Sequence, residues 1–273
     1  MPEATTYVRT CECGDREQDV HSRTAPPMLR IDSEAPLAIA VITAIRTGDL
    51  ATLTSLMAEH PDLARACVDH ARSGTSRTLL HLATDWPGHY PSGAATVAAL
   101  VRAGAEVDAR FDGGPHSETP LHWAASSDDV EVLDALLDAG ADIEARGAVI
   151  GDGTPLADAT AFGQWNAARR LIERGARATL WEAAALGLED RVAECFGGDP
   201  VPSHDEVTHA FWAACHGGRR TTAEYLHARG ADINLVGHDN LTPLDAAARS
   251  EAHELADWLR SVGAVSAAES PES

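Results

Sequence analysis

The sequence predicts an all-α solenoid, a stack of short helix pairs separated by turn-rich fingers. Three observations predict it. Thr119-Pro-Leu-His-Trp-Ala-Ala125 is followed, after fourteen residues, by Gly140-Ala-Asp142. The same opening and close recur as Thr78-Leu-Leu-His-Leu-Ala83 with Gly104-Ala-Glu106, Thr154-Pro-Leu156 with Gly175-Ala176, Phe211-Trp-Ala-Ala214 with Gly230-Ala-Asp232, and Thr242-Pro-Leu-Asp-Ala-Ala247 with Gly263-Ala264. Between the conserved-looking openings the apolar residues fall at helical spacing, and no long alternating run suggests an extended sheet.

Taken in order, residues 1–34 read as a poorly ordered polar tail, ending in Thr24-Ala-Pro-Pro27, with Met28 as a candidate alternative start. From Ala35 to Cys67 two amphipathic helices are expected. One buries Leu37, Val41, Ala44 and Ile45, the other Leu50, Leu53, Leu56 and Met57, with Gly48-Asp49 between them. This is a degenerate first unit whose outer helix caps the stack. In each full unit the threonine hydroxyl caps the first helix, proline suits its first turn because it needs no amide partner there, and paired alanines allow close helix approach. Glycine after the second helix supplies the left-handed residue that ends it. Phe111-Asp-Gly-Gly114, Gly151-Asp-Gly153 and His238-Asp-Asn240 mark the turns of the fingers.

Two departures stand out. About five extra residues, including Trp86-Pro-Gly-His-Tyr-Pro91, enlarge the loop inside the unit that opens at Thr78. Conversely, Gly175-Ala-Arg-Ala178 runs almost directly into Leu180-Trp-Glu-Ala-Ala184, so one finger is missing and the array is irregular over 176–207. Six to seven helix pairs are expected over 35–265, with 266–273 as a second tail.

The Thr-Pro-Leu-His-x-Ala opening and a period of about 33 residues resemble the ankyrin repeat family over roughly Ala35 to Ala264. The resemblance implies a non-enzymatic scaffold for protein–protein recognition, with short β-hairpin-like fingers and a partner on the concave face. Carried over by position, the candidates just after the paired small residues are Asp85 and Trp86, Ser126 and Ser127, Phe162, and His216, with His89, Tyr90, Trp123 and Trp165 beside them. Aromatic anchors bury much apolar area at little rotamer cost. Trp123 sits where packing between repeats competes with binding. Trp181 and Trp212 are placed at the histidine position of the opening and read as structural.

Composition narrows the partner. The formal net charge is −21, and every basic side chain is arginine, none lysine. Such a surface repels a phosphate backbone, so nucleic acid is excluded and a basic protein partner favoured. Without lysine there is no Schiff-base chemistry. Arginine in place of lysine, with abundant alanine, is the pattern expected of a high-GC bacterial genome. No signal-peptide run and no membrane-length apolar segment is found, and the five cysteines form an odd set, so a monomeric cytoplasmic protein is expected.

Thirteen histidines raise an alternative, a metal-assisted hydrolytic or small-molecule site built on His81, Asp85, His89, His116 and His122. Pro87-Gly88 interrupts the helix before His89, however, and the opening-motif histidines are expected to hydrogen-bond within the stack. Cys11-Glu-Cys13 with His21 lacks a fourth ligand, and His253-Glu-Leu-Ala-Asp257 ends in Asp where a zinc-protease helix needs His. No catalytic Ser elbow or phosphate loop is present. No cofactor and no resident metal are expected.

Overall fold

A computed structural model describes residues 29–269. The expectations placed on Cys11, Cys13, His21, the Met28 start and the last four residues lie outside that range. Within it the chain builds seven helix pairs, the upper end of the expected number. The first pair is α1 (Pro36–Thr47) and α2 (Leu50–Glu59), and the second is α3 (Leu79–Thr84) and α4 (Gly93–Arg102). Then follow α5 (Pro120–Ser126) with α6 (Val130–Asp138), α7 (Pro155–Ala161) with α8 (Trp165–Glu173), and α9 (Leu180–Leu186) with α10 (Glu189–Gly197). The last are α11 (His204–His216) with α12 (Arg220–His227), and α13 (Pro243–Arg249) with α14 (His253–Ser261).

Local chemistry sets the helix ends. Thr119, Thr179, Ser203 and Thr242 each close a reciprocal cap with the residue three places on, which is His122, Glu182, Glu206 and Asp245 respectively. Beyond the outer helices, Gly104, Gly140, Gly175, Gly230 and Gly263 take φ between 90 and 101°, the left-handed turn that glycine adopts without a Cβ penalty. The second residue of the inner helix is the main core knob: Leu80, Leu121 and Leu156 are fully buried and Leu244 nearly so. Outer helices are tied across repeats by ion pairs, Arg170 and Arg174 both meeting Asp134 at 2.9 and 2.6 Å.

The fingers are stitched to one another. β2 (Cys67–His70) and β3 (Thr75–Thr78) form an antiparallel hairpin, and β1 (Arg30–Asp32) adds to β2 in parallel, with Ile31 opposite Val68. Ser76 then bridges to Asp112 of the next finger, and the Ser117 amide donates to Gly147 O of the one after (3.3 Å). Two edges differ from expectation. Residues 30–34 are not tail but strand and turn, because β2 offers its backbone groups to Arg30–Asp32. At the other end Ala267–Glu269 form a 3-10 turn, tied back by the Ala267 amide to Asp245 (2.8 Å).

No finger precedes α9, only residues 174–179 separating α8 from α9. A second is missing too, since residues 198–203 alone lead from α10 to α11. The structure also corrects a register. Glu182, not Trp181, occupies the histidine position, and Trp181 stands where other repeats carry the core leucine. In the repeat of α11 Phe211 occupies the histidine position, and Trp212 aligns with Trp123. Trp212 is buried, its indole N–H donating to Leu241 O (2.8 Å), so its structural reading holds at the corrected place.

Candidate interaction surface

Fingers lead into the N-termini of the inner helices, and the inter-helix loops leave their C-termini. An inner helix of about seven residues is roughly 10 Å long. Most of the sequence-predicted residues (Asp85, Trp86, His89, Tyr90, Ser126, Ser127, Phe162, Trp165 and His216) lie along the inter-helix loops or the helix ends beside them. They share one rim, a helix length away from the finger bases.

Much of that rim is engaged in holding repeats together. The His89 amide donates to Asp129 Oδ2 (2.6 Å), and its ring Nε2 lies 3.0 Å from Ser127 O. Ser126 O accepts from Gln164 Nε2 (3.0 Å), while its hydroxyl turns back to His122 O (2.8 Å). Ser127 and His216 are buried, contrary to their assignment to an open surface. The reason is an earlier repeat in each case: the loop at Gly88 packs on Ser127, and His216 Nε2 reaches Thr160 O of α7 (3.2 Å), with Trp165 of α8 tilted against its ring at 5.1 Å and Trp212 stacked on it at 5.4 Å. Trp123 is half-buried between His81 and Phe111, with the Arg77 guanidinium over its face, which is a packing role.

The open apolar side chains of this rim are Trp86, 77% exposed, and Phe162, 50% exposed. Trp86 belongs to a loop fixed on both sides. Before it, Asp85 is gripped by Arg77 (3.0 Å) and Arg46 (3.6 Å), and after it come the His89 bonds just described. Tyr90 is half-buried at the end of this loop.

His81 and His122 of the alternative reading are otherwise committed. Burial pushes His81 and His122 down to about 4. His81 Nδ1 meets the Thr78 hydroxyl (2.8 Å) and its Nε2 the Glu118 carbonyl (3.1 Å). His122 Nδ1 accepts the Thr119 amide (3.1 Å). Among the described residues no three His, Cys, Asp or Glu side chains gather as a metal site, and no helix is long and apolar enough to cross a membrane.

Sequence reasoning missed two features. Asp158 is fully buried and neither carboxylate oxygen has a hydrogen bond of good geometry, and desolvation together with the nearby Glu118 charge raises it to about 7 against a smaller opposing pull from the Ile150 and Val149 backbone amides. The second is the double finger gap beside Trp181. Its signal was available as the short spans before α9 and α11.

Residues 93–180 match the family described as ankyrin repeats (3 copies), and residues 211–260 that described as ankyrin repeats (many copies). The chain belongs to the ankyrin repeat family. A Caenorhabditis briggsae protein named as ankyrin repeat and KH domain-containing is 30% identical over 178 residues, 60% of this chain. The match spans 6% of that protein's length, so it bears on the repeats alone. Ankyrin repeats form scaffolds for protein–protein interaction, and the buried, capped and stitched residues above are those that build such a scaffold.

Proposed function

We propose that this ankyrin array is a non-enzymatic scaffold that takes a basic partner protein on its concave side, along the inner helices, with Trp86 and Phe162 as anchors where those helices end. The observation that carries the reading is Trp86, the most exposed large apolar side chain described, standing on a loop held by ion pairs and hydrogen bonds. An aromatic side chain presented on a rigid support loses little entropy when a partner covers it. The −21 charge favours a basic partner, and Asp85 beside Trp86 contributes locally, although its pairing with two arginines reduces that contribution.

Co-purification from a host lysate tests the reading. Wild type is expected to retain a partner that Trp86→Ala/Phe162→Ala loses, with both proteins showing the same thermal midpoint because these side chains are mainly in solvent. Equal retention by both would reject the anchors. Trp165 is unsuited to this test: it packs on His216, so Trp165→Ala is expected to lower the thermal midpoint, which a melting curve checks directly.

A further inference from the structure

We propose that the interval lacking two successive fingers is a second recognition site, for a short peptide segment that places an apolar side chain beside Trp181 and an arginine or lysine against Asp205 and Glu206. The proposal deepens the scaffold reading and rests on it.

The gap changes what the inner helix exposes. At the second helical position Leu80, Leu121 and Leu156 are fully buried and Leu244 is 5% exposed, whereas Trp181 at the same position is only half-buried. No finger passes over it. Between α9 and the start of α11 this leaves a groove of about 500 Å³ lined by Leu180, Trp181, Cys195 and Pro200-Val-Pro202, within the roughly 300–1,000 Å³ typical of ligand sites. Val201 on its wall is 61% exposed. The two prolines fix φ on either side of that valine, so the wall is already shaped before a ligand arrives. Past Thr179 and Trp181 a second hollow of about 440 Å³ continues toward Arg146 and Arg177. A groove that is open along its length and runs past a central indole suits an extended chain.

The charges beside the groove select the ligand. Asp205 and Glu206 occupy the first turn of α11, where the helix dipole favours carboxylates. Hydrogen bonds from the Ser203 amide and hydroxyl (both 2.8 Å) hold the Glu206 carboxyl below its ordinary value, so it is ionised. The Asp205 side chain is almost wholly in solvent. A guanidinium or ammonium is favoured at this end, whereas beyond Trp181 the charges are mixed, Glu144 and Glu182 lining the hollow together with Arg146, Arg177 and Arg191.

The test pans a phage-displayed library of random short peptides on the full chain. Binding of the enriched peptides is then measured by fluorescence anisotropy on wild type, Val201→Asp, Asp205→Arg and Trp181→Leu. The first two replace exposed side chains, and the third installs the residue that other repeats carry, so folding is retained. The expected result is a shared aromatic or aliphatic residue close to Arg or Lys, with affinity weakened about ten-fold or more by Val201→Asp and Asp205→Arg. Enrichment of peptides without that pattern, or binding indifferent to all three substitutions, overturns the site while leaving the scaffold reading intact. No enriched peptide also overturns it. The scaffold reading itself fails only if the co-purification retains nothing specific.

Discussion

Gly217→Ala is expected to lower the stability of the array by about 3 kcal/mol, at the upper end of what overpacking costs. Gly217 has an ordinary φ of −81°, so its conformation is open to any residue. Space is the constraint. A Cβ built there would lie 1.9 Å from Ala185 O, 2.8 Å from its carbonyl carbon and 3.2 Å from its Cα. All three are backbone atoms of α9, which no rotamer change can move away. Relief requires the two repeats to separate, and that strains the Arg219 Nε to Ala185 O bond (3.1 Å) across the same seam. A solenoid is stabilised by contacts between neighbours, so damage at one seam also weakens the coupling of the halves it joins. Denaturant unfolding should show a lower midpoint and a broadened or divided transition. Gly140→Ala is the control: nothing lies within 4 Å of its Cβ, and only its φ of +93° is strained, for about 1–2 kcal/mol. Equal effects at the two glycines would refute the argument from close approach.

Features set by local chemistry were legible in the sequence. The Thr-Pro-Leu-His openings became capped inner helices, and the glycines after the outer helices took left-handed φ. Counting residues between Thr78 and Gly104, and between Gly175 and Leu180, located the enlarged loop and a missing finger. Features that depend on a distant partner were not legible. β1 exists because β2 lies beside it, and Arg30–Asp32 carries no pattern of its own. The register around Trp181 slipped by one because Thr179-Leu-Trp-Glu182 lacks the proline that marks the other openings, so the acid at the cap was not seen to replace histidine. Ser127 and His216 follow the small residues as expected, but groups from another repeat cover each of them. Position in a repeat gives direction; exposure depends on the repeat next to it.

The pH dependence of stability follows from three buried groups, and its sign differs among them. His81 and His122 are held neutral. Nδ1 of His122 accepts a backbone N–H and cannot take a proton without losing it, and burial places both histidines at about 4 against about 6.5 unfolded. The unfolded chain therefore binds more protons between those values, and stability falls as the pH drops through that window. The loss is about 2 kcal/mol for each histidine by pH 5. Asp158, raised to about 7, works in the opposite direction. The folded state takes up its proton first, so lowering the pH from 7 toward 4 relieves the cost of a buried carboxylate. Carboxylates held low by their partners, such as Asp69 and Asp245, contribute above their unfolded value and lose that contribution only in stronger acid. Between pH 7.5 and 5, Asp158 thus masks part of the histidine effect. Asp158→Asn removes the mask. The variant is expected to be more stable than wild type at pH 8, by roughly 1–3 kcal/mol, as expected when an unpaired buried charge is removed, and to lose stability more steeply on acidification. Urea unfolding of both proteins at pH 8 and 5 checks this, and the comparison largely cancels the background of net charge. Parallel stability curves for the two proteins would mean that Asp158 keeps its proton count unchanged across this range.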